Sequence, residues 1–270
     1  MPRPKIKMTL NFKTKYLGDG IYDICAPMME QIYLVIGKNK AMVIDTGMGI
    51  GSLKEVIDKI TNLPLIIVNT HGHPDHAGGN YELGVGHLNF LDLDVYHKMV
   101  TDEFRISDIK KIFGDNGKLF IDNLIPYSDD LIPYKENDTF DLGGRIIRAY
   151  QVEGHTEGSM VLYDEDSKTL FVGDALTVKE TWVFLWYSTT LTRYYQALLH
   201  LKSLNLDVNR CLTGHLPNIM DYSLLDKKIK CVEKVLLKNE TGVPFETFAG
   251  SGMLVEYKGV SIVYNPLRIK

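Results

Sequence analysis

The chain has few cysteines, no long apolar run and no surplus of positive charge. Its three cysteines, Cys25, Cys211 and Cys231, are odd in number and far apart, with no CxxC pair. A disulfide framework is thereby excluded, a reducing compartment is indicated, and each thiol reads as a small buried apolar group. No stretch approaches the length of a membrane span. The basic start, MPRPKIKMTLNFKTKY, lacks the apolar segment and cleavage site of a leader. A cytoplasmic protein without a membrane partner is expected. A net charge of −4 and a pI near 6.1 argue against a generally basic nucleic-acid surface. Internal repeats, low-complexity tracts and Pro/Ser-rich linkers are all missing. With 45% hydrophobic and 24% charged residues, 270 residues suit one large α/β domain or two small ones, with a core that needs no disulfide.

Histidine is where the chain is rich. Residues 70–76 read Thr-His-Gly-His-Pro-Asp-His, so three histidines and one aspartate fall within six positions, directly after the apolar run Leu65-Ile66-Ile67-Val68. A loop this short brings four donor groups within a few ångströms of one another. Imidazole nitrogen and carboxylate oxygen suit zinc, iron and manganese, and no purely structural turn calls for this density of imidazole.

The pattern around this loop alternates between strand and helix. Residues 21–26, 32–36 and 41–44 read as paired strands, with Gly-Lys-Asn-Lys turning between the last two. A helix is predicted over 52–61. Ser52 three residues before Glu55 makes a capping box, and Leu53, Val56, Ile57 and Ile60 share one face. A strand over 64–69 then delivers the histidines. Residues 97–136 are charged and partly helical, with a Tyr/Pro/Asp-rich end. Strands resume at 145–152, 159–163 and 169–172, helices at 190–204 and 222–238, and the end of the chain reads as a hairpin turning at Lys258-Gly259. Strands and helices in both halves imply a layered α/β architecture.

Three further donors share a local grammar of apolar strand, glycine and ligand. His155 lies in Gly154-His155-Thr156-Glu157-Gly158-Ser159, Asp174 in Phe171-Val172-Gly173-Asp174, and His215 in Cys211-Leu212-Thr213-Gly214-His215. Glycine permits close backbone approach beside such a site.

The HxHxDH segment (His71, His73, Asp75, His76), the GHTxGS segment (Gly154 to Ser159), and the Gly173-Asp174 and Gly214-His215 strand ends resemble the metallo-β-lactamase superfamily. Val43 to Gly47 and Asp141 to Gly144 match the same family in its order, so the resemblance covers about residues 20–220. It implies an αβ/βα four-layer sandwich, two mixed sheets between outer helices, in a single domain over 1–270 with an insertion or lid at about 97–136. It also implies two divalent metal ions at one edge of the sandwich, zinc first, with iron or manganese also suited. His71, His73 and His155 resemble the ligands of one ion, and Asp75, His76 and His215 those of the other. Asp174 resembles the carboxylate between them, and Asp75 also has a catalytic role, orienting the water that the metals activate. Asp45 is expected to hold the loop or a ligand imidazole. His87, His97 and His200 lie in no matching motif.

Departures from particular branches narrow the expectation. Asp174 stands where common β-lactamases have cysteine, and His73 where the flavin-linked di-iron relatives have glutamate. The terminal hairpin replaces the basic helices of glyoxalase II, and no further domain of the nuclease kind fits. What is implied is a binuclear metal-dependent hydrolase that sends a metal-bound hydroxide onto an ester, lactone, thioester or related bond of a small molecule. A mononuclear-iron persulfide dioxygenase, a phosphodiesterase and a non-enzymatic binding role stay open, as do the substrate and a homo-oligomeric state. Residues 97–136 and the aromatic run 181–188 are expected to wall or cover the metals, with Tyr187 or Tyr127 as an oxyanion donor; core packing is the competing role for the aromatics.

Overall fold

The structure, a computed structural model, describes residues 9–270, so the first eight residues of the basic N-terminal stretch lie outside it. Its first sheet contains, in spatial order, β1 (Lys13–Tyr16), β2 (Ile21–Cys25), β3 (Gln31–Ile36), β4 (Ala41–Ile44), β5 (Leu65–Val68), β6 (Gly86–Leu88) and β7 (Leu131–Pro133). Pairing is antiparallel as far as β4 and parallel beyond it. The second sheet is built from β8 (Thr139–Asp141), β9 (Ile146–Gln151), β10 (Met160–Asp164) and β11 (Thr169–Gly173). After β12 (Thr181–Val183) leaves it, the sheet is completed by β13 (Arg210–Thr213) and β14 (Ile219–Met220). The pair β11–β13 is parallel, so both sheets are mixed.

Side-chain alternation along these strands generates the layers. Tyr33, Val35, Met42 and Ile44 point to one face of the first sheet, and Ile147, Ala149, Leu162, Phe171 and Leu212 to one face of the second; together they form the central core. The intervening residues Ile32, Leu34, Ala41 and Val43 pack outward against Leu53 and Ile57 of α1 (Leu53–Asp58). On the other side Tyr150, Val161, Leu170, Val172 and Cys211 pack outward against α7 (Leu191–Ser203) and α8 (Ser223–Leu236). Between α1 and α7 come α2 (Pro74–Ala77), α3 (Asn80–Leu83), α4 (Leu93–Met99), α5 (Asp102–Phe113) and α6 (Lys118–Ile121). Strands covered on both faces need continuous apolar runs, which is why LIIV, AMVI and MVLYD carry so little polar alternation. This is the αβ/βα sandwich expected from the sequence. The capping box also forms, with the Ser52 hydroxyl accepting from Glu55 N–H.

A third sheet is the main departure. The terminal hairpin turns at Lys258-Gly259, both with positive φ (50° and 79°), as a two-residue connection requires. Its strands β16 (Gly250–Tyr257) and β17 (Val260–Tyr264) do not stand alone. With β15 (Val243–Thr247) and β12 they form a four-stranded sheet in the order β12-β17-β16-β15. Pairing of Trp182 with Val263 ties the aromatic run to the C-terminal hairpin, 81 positions further along the chain. Short strands of this kind carry no periodicity of their own, so β12 and β15 were invisible until their partners were placed.

The segment 97–136 is anchored by a fully buried arginine. Arg105 on α5 donates from Nη1 to the carbonyls of Met48 (3.0 Å) and Gly78 (2.9 Å), and from Nη2 to Asp102 (2.7 Å) and the Ile125 carbonyl (2.8 Å). One side chain therefore ties the inserted helices to the chain just beyond the histidine loop.

A second buried cation tests the outer layer. Lys228 on α8 is fully buried and donates to the Ser261 carbonyl of β17. Burial pushes its ammonium down to about 7 from the ordinary lysine value of 10.5. Because the folded value lies below the unfolded one, the unfolded chain binds more protons between those two values, and stability rises with pH across that window. Lys228→Met removes this dependence. The variant is expected to be the more stable protein at pH 7, with the gap narrowing toward pH 10; a gap constant with pH in thermal melts contradicts the assignment.

Among the described residues no helix is long and apolar enough to cross a membrane. All three cysteines are free, Cys211 and Cys231 buried and Cys25 half-buried.

Candidate metal centre

Parallel strands β4 and β5 of one sheet and β11 and β13 of the other end at the same edge of the sandwich, and the donors sit on the turns that follow. His71, His73, Asp75 and His76 follow β5, with His73 as the N-cap of α2 and Pro74 at its first position. Proline there fixes the helical entry without sacrificing a hydrogen bond. His155 occupies the turn between β9 and β10, Asp174 follows Gly173 of β11, and His215 follows β13. Two glycines make the convergence sterically feasible. Gly173 has φ +47°, and a Cβ there would lie 2.5 Å from Thr70 Oγ1; a Cβ on Gly214 would lie 2.6 Å from His76 Cε1 and 2.7 Å from Asp174 Oδ1.

All seven donors come together as three overlapping clusters. Ligand atoms of His71, His73 and His155 lie within 4.8 Å of one another, as do those of His71, His76 and Asp174, and those of Asp75, His76 and His215. His73 Nδ1 stands 2.9 Å from His71 Nε2 and 3.0 Å from His155 Nε2. Asp174 faces both groups, with Oδ2 3.7 Å from His155 and 3.3 Å from His215, and Oδ1 3.6 Å from His76. Asp75 Oδ2 lies 3.4 Å from His215 Nε2 and 3.7 Å from His76 Nε2.

The donor chemistry fits divalent cations. Burial, reinforced by the crowding of neighbouring imidazoles, holds His71 and His73 well below the usual histidine range, and burial lowers His155 as well. Neutral rings offer the lone pairs that a cation needs. At the other cluster burial works against protonation of His76, but Asp45, Asp75 and Asp174 outweigh it and push the ring up to about 9. Burial is likewise overcome at Asp75 and Asp174, whose carboxyls are held down by the His76 and His215 charges. His76 Nε2 and Asp174 Oδ1 are buried without a hydrogen-bond partner, a costly condition that a cation between them relieves.

Outer contacts orient the rings. Asp45, at the end of β4 with φ +62°, accepts from Thr70 N–H (2.7 Å) and hydroxyl (2.9 Å) and lies 2.8 Å from His76 Nδ1. His155 Nδ1 lies 2.9 Å from the Trp182 carbonyl. Such partners fix which ring nitrogen faces inward. Asp92 was not legible in the sequence, where it lies in an unremarkable Leu-Asp-Leu-Asp stretch. It is fully buried and accepts from Gly72 N–H (2.9 Å), Gly158 N–H (2.7 Å) and the Thr156 hydroxyl (2.6 Å). Burial raises its carboxyl to about 6. It therefore joins the loop carrying His71 and His73 to the loop carrying His155.

His87, His97 and His200 stay outside the clusters. His87 Nδ1 meets the Ile67 carbonyl at 2.8 Å, His97 faces Asp129 at 3.4 Å, and His200 meets Glu136 at 2.5 Å.

The donors open into a cavity of about 650 Å³ whose lining includes His73, Asp75, His155, Asp174 and His215. Both segments expected to wall the site contribute. Phe104, Asp108, Lys111 and Ile112 form one stripe of α5, and Trp182, Leu185, Trp186 and Tyr187 come from the aromatic run. The run divides by role: Phe184 is buried with Val263 in a small core, whereas the Tyr187 ring packs 4.6 Å from His73. Burial raises Tyr187 above the usual phenol range, which keeps it a donor. Tyr127, the other expected oxyanion donor, is misplaced for that role. It packs on Tyr96 with its hydroxyl on Asp129, and the cavity lining does not include it. Phe248, from the turn between β15 and β16, supplies a wall that the sequence did not announce.

Comparison with known proteins agrees with this geometry. The sequence model of a family described as the metallo-beta-lactamase superfamily matches residues 26–215. An acyl-coenzyme A thioesterase, MBLAC2, of Bos taurus is 29% identical over 184 residues, 60% of this chain and 65% of that protein. The match thus spans just under two thirds of that relative. A hydroxyacylglutathione hydrolase of Pelagibacter ubique is 26% identical over 228 residues, 78% of this chain and 81% of that one. Among solved structures, a metallo-beta-lactamase from Pontibacter korlensis superposes with a TM-score of 0.62 at 19% identity, covering 83% of this chain and 99% of that one. An archaeal superfamily protein from Sulfolobus tokodaii gives 0.59 at 21% identity, covering 85% and 90%. At such identities the superpositions speak for the fold alone.

Proposed function

The chain belongs to the metallo-beta-lactamase superfamily, and from that premise we propose that it is a binuclear metal-dependent hydrolase acting on thioesters. One observation carries the reading: seven metal-competent donors cluster together, and five of them, His73, Asp75, His155, Asp174 and His215, line a cavity large enough for a small-molecule substrate. His71, His73 and His155 would hold one cation, Asp75, His76 and His215 the other, with Asp174 between them. Bound there, two divalent cations activate water at neutral pH and polarise the acyl carbonyl.

The remaining roles belong to side chains on the page. Asp75, which lines the cavity, orients the attacking water and receives its proton. Tyr187, beside His73 in the cavity lining, donates to the oxygen that gains charge as the carbonyl becomes tetrahedral. Asp45 and the Trp182 carbonyl keep His76 and His155 in register. A thioester is favoured within the hydrolase class because relatives named for acyl-coenzyme A and hydroxyacylglutathione hydrolysis both match this chain.

The test pairs metal content with turnover. Protein loaded with zinc, manganese or iron is expected to hold two ions per chain by elemental analysis and to release free thiol from acyl thioesters. Chelation is expected to remove both metal and turnover. No more than one ion under saturating conditions would overturn the binuclear assignment. Oxygen uptake with a single iron would turn the reading toward persulfide oxidation.

A further inference from the structure

Three lysines line the cavity, and none forms a salt bridge with a described residue: Lys98 near the end of α4, Lys111 in the last turn of α5, and Lys179 ahead of β12. Lys98 Nζ lies 4.8 Å above the ring of Trp186, which is 61% exposed. Lys111 belongs to the α5 stripe that faces the cavity, two turns from Phe104, with its Nζ 5.9 Å from that ring. The charges are sorted by depth. Glu30 is buried, Asp75, Asp108, Asp174 and Glu180 are half-buried, and the three lysines are exposed. An elongated substrate lying in this cavity therefore has its scissile bond among the buried donors and its far end between ammonium groups and an open indole face.

Two chemistries meet at that far end. Exposed ammonium groups that form no salt bridge favour phosphate oxygens, through hydrogen bonds strengthened by full charge on both sides, although Lys111 also feels the Asp108 carboxylate of its own helix. An exposed indole offers a stacking surface for a flat heteroaromatic ring. We propose that Lys98, Lys111 and Trp186 form a subsite for the phosphorylated nucleotide end of a thiol carrier. The substrate class is then an acyl thioester whose leaving thiol bears a nucleotide, in preference to one with a small uncharged thiol. The proposal rests on the thioesterase reading above and adds the residues that select the carrier. Asp108 and Glu180 share the cavity wall and oppose anions there, so binding depends on the lysines outweighing them.

The experiment compares two thioesters of one acyl chain, decanoyl-coenzyme A and decanoyl-N-acetylcysteamine, which lacks every phosphate and the base. Each lysine lost is expected to cost about tenfold in affinity for the phosphorylated substrate. In Lys98→Glu/Lys111→Glu protein, KM for the coenzyme A thioester therefore rises far more than KM for the truncated one. Trp186→Ala shifts the same ratio by a smaller factor. Lys118→Glu, a change at an exposed lysine outside the cavity lining, leaves both constants where they were. Equal effects on the two substrates, or none, overturn the subsite. Calorimetric binding of adenosine 3′,5′-bisphosphate separates this proposal from the reaction itself. Binding by the native protein that is lost in the double variant supports the subsite even if no thioester is turned over. Absent binding, or binding indifferent to the substitutions, rejects it even if thioesters are hydrolysed.

Discussion

Asp174→Ala is expected to abolish hydrolysis and to lower metal content at both positions together, while the fold persists. The carboxylate stands 3.3 Å from His215, 3.6 Å from His76 and 3.7 Å from His155, so it faces both donor groups. Two cations a few ångströms apart repel each other, and a negative group between them offsets that repulsion. Its removal also exposes the buried, unpartnered His76 Nε2 to a site with one fewer charge. Elemental analysis should show a coordinated loss, and turnover should fall by at least about a thousandfold, the scale on which a group stabilising the reacting charge contributes. Native metal content with native turnover would remove Asp174 from the centre. Loss of a single ion would make it a ligand of one position only. His87→Ala serves as the control, since that ring is committed to the Ile67 carbonyl away from the clusters.

Asp92→Ala should be the most destabilising change outside the donors themselves. It strands two buried N–H groups, those of Gly72 and Gly158, and leaves the Thr156 hydroxyl with Ser159 Oγ, 2.7 Å away, as its remaining partner. An unsatisfied buried donor costs about 1–3 kcal/mol, and with partial relaxation the sum is about 3–5 kcal/mol. The loss should be visible as a fall in melting temperature of several degrees, at about 2 °C per kcal/mol for a chain of this length. Metal affinity should fall with it, because the histidine loop and the His155 turn lose their common tether. Asp92→Asn keeps the shape but turns an NH₂ toward groups that themselves donate, so it should fall between native and alanine. Melting curves that leave alanine within 1 kcal/mol of native, on the scale of an ordinary surface change, would show that the two loops hold themselves.

The donors were legible because each is locally encoded. Three histidines and an aspartate in residues 70–76 need no tertiary information to suggest a metal, and the Gly-His and Gly-Asp strand ends repeat a signal that lies within five residues. The layers were legible for a related reason. Strands buried on both faces and helices with one apolar stripe leave different periods in the chain, and the capped helix after β4 appeared where its Ser52 and Glu55 placed it. What escaped was everything whose partner is distant in sequence. Strand β12 exists through pairing with β17, and Phe248 reaches the cavity only because that hairpin folds back. The aromatic run 181–188 looked uniform in sequence, yet packing sends Phe184 into a core and Tyr187 toward His73. Tyr127 shows the converse, a residue with suitable chemistry carried elsewhere by its contact with Tyr96.

Sequence alone singled out the candidate donors that the structure brings together, because seven donor side chains and the glycines beside them are specified one turn at a time. Tertiary structure decided how that chemistry is supported and to what it is exposed. Asp92 and Arg105 have no motif: an isolated aspartate or arginine in a helical region reads as a solvated charge until the fold buries it and surrounds it with backbone donors or carbonyls. Lys98, Lys111 and Trp186 are far apart in the chain and ordinary in type, and only the return of α4, α5 and the β12 loop to one cavity gives them a common address. Ligand spacing is a local geometric demand, written in adjacent residues. Burial, tethering and cavity shape depend on which distant segments pack together, and that is settled by the sandwich as a whole.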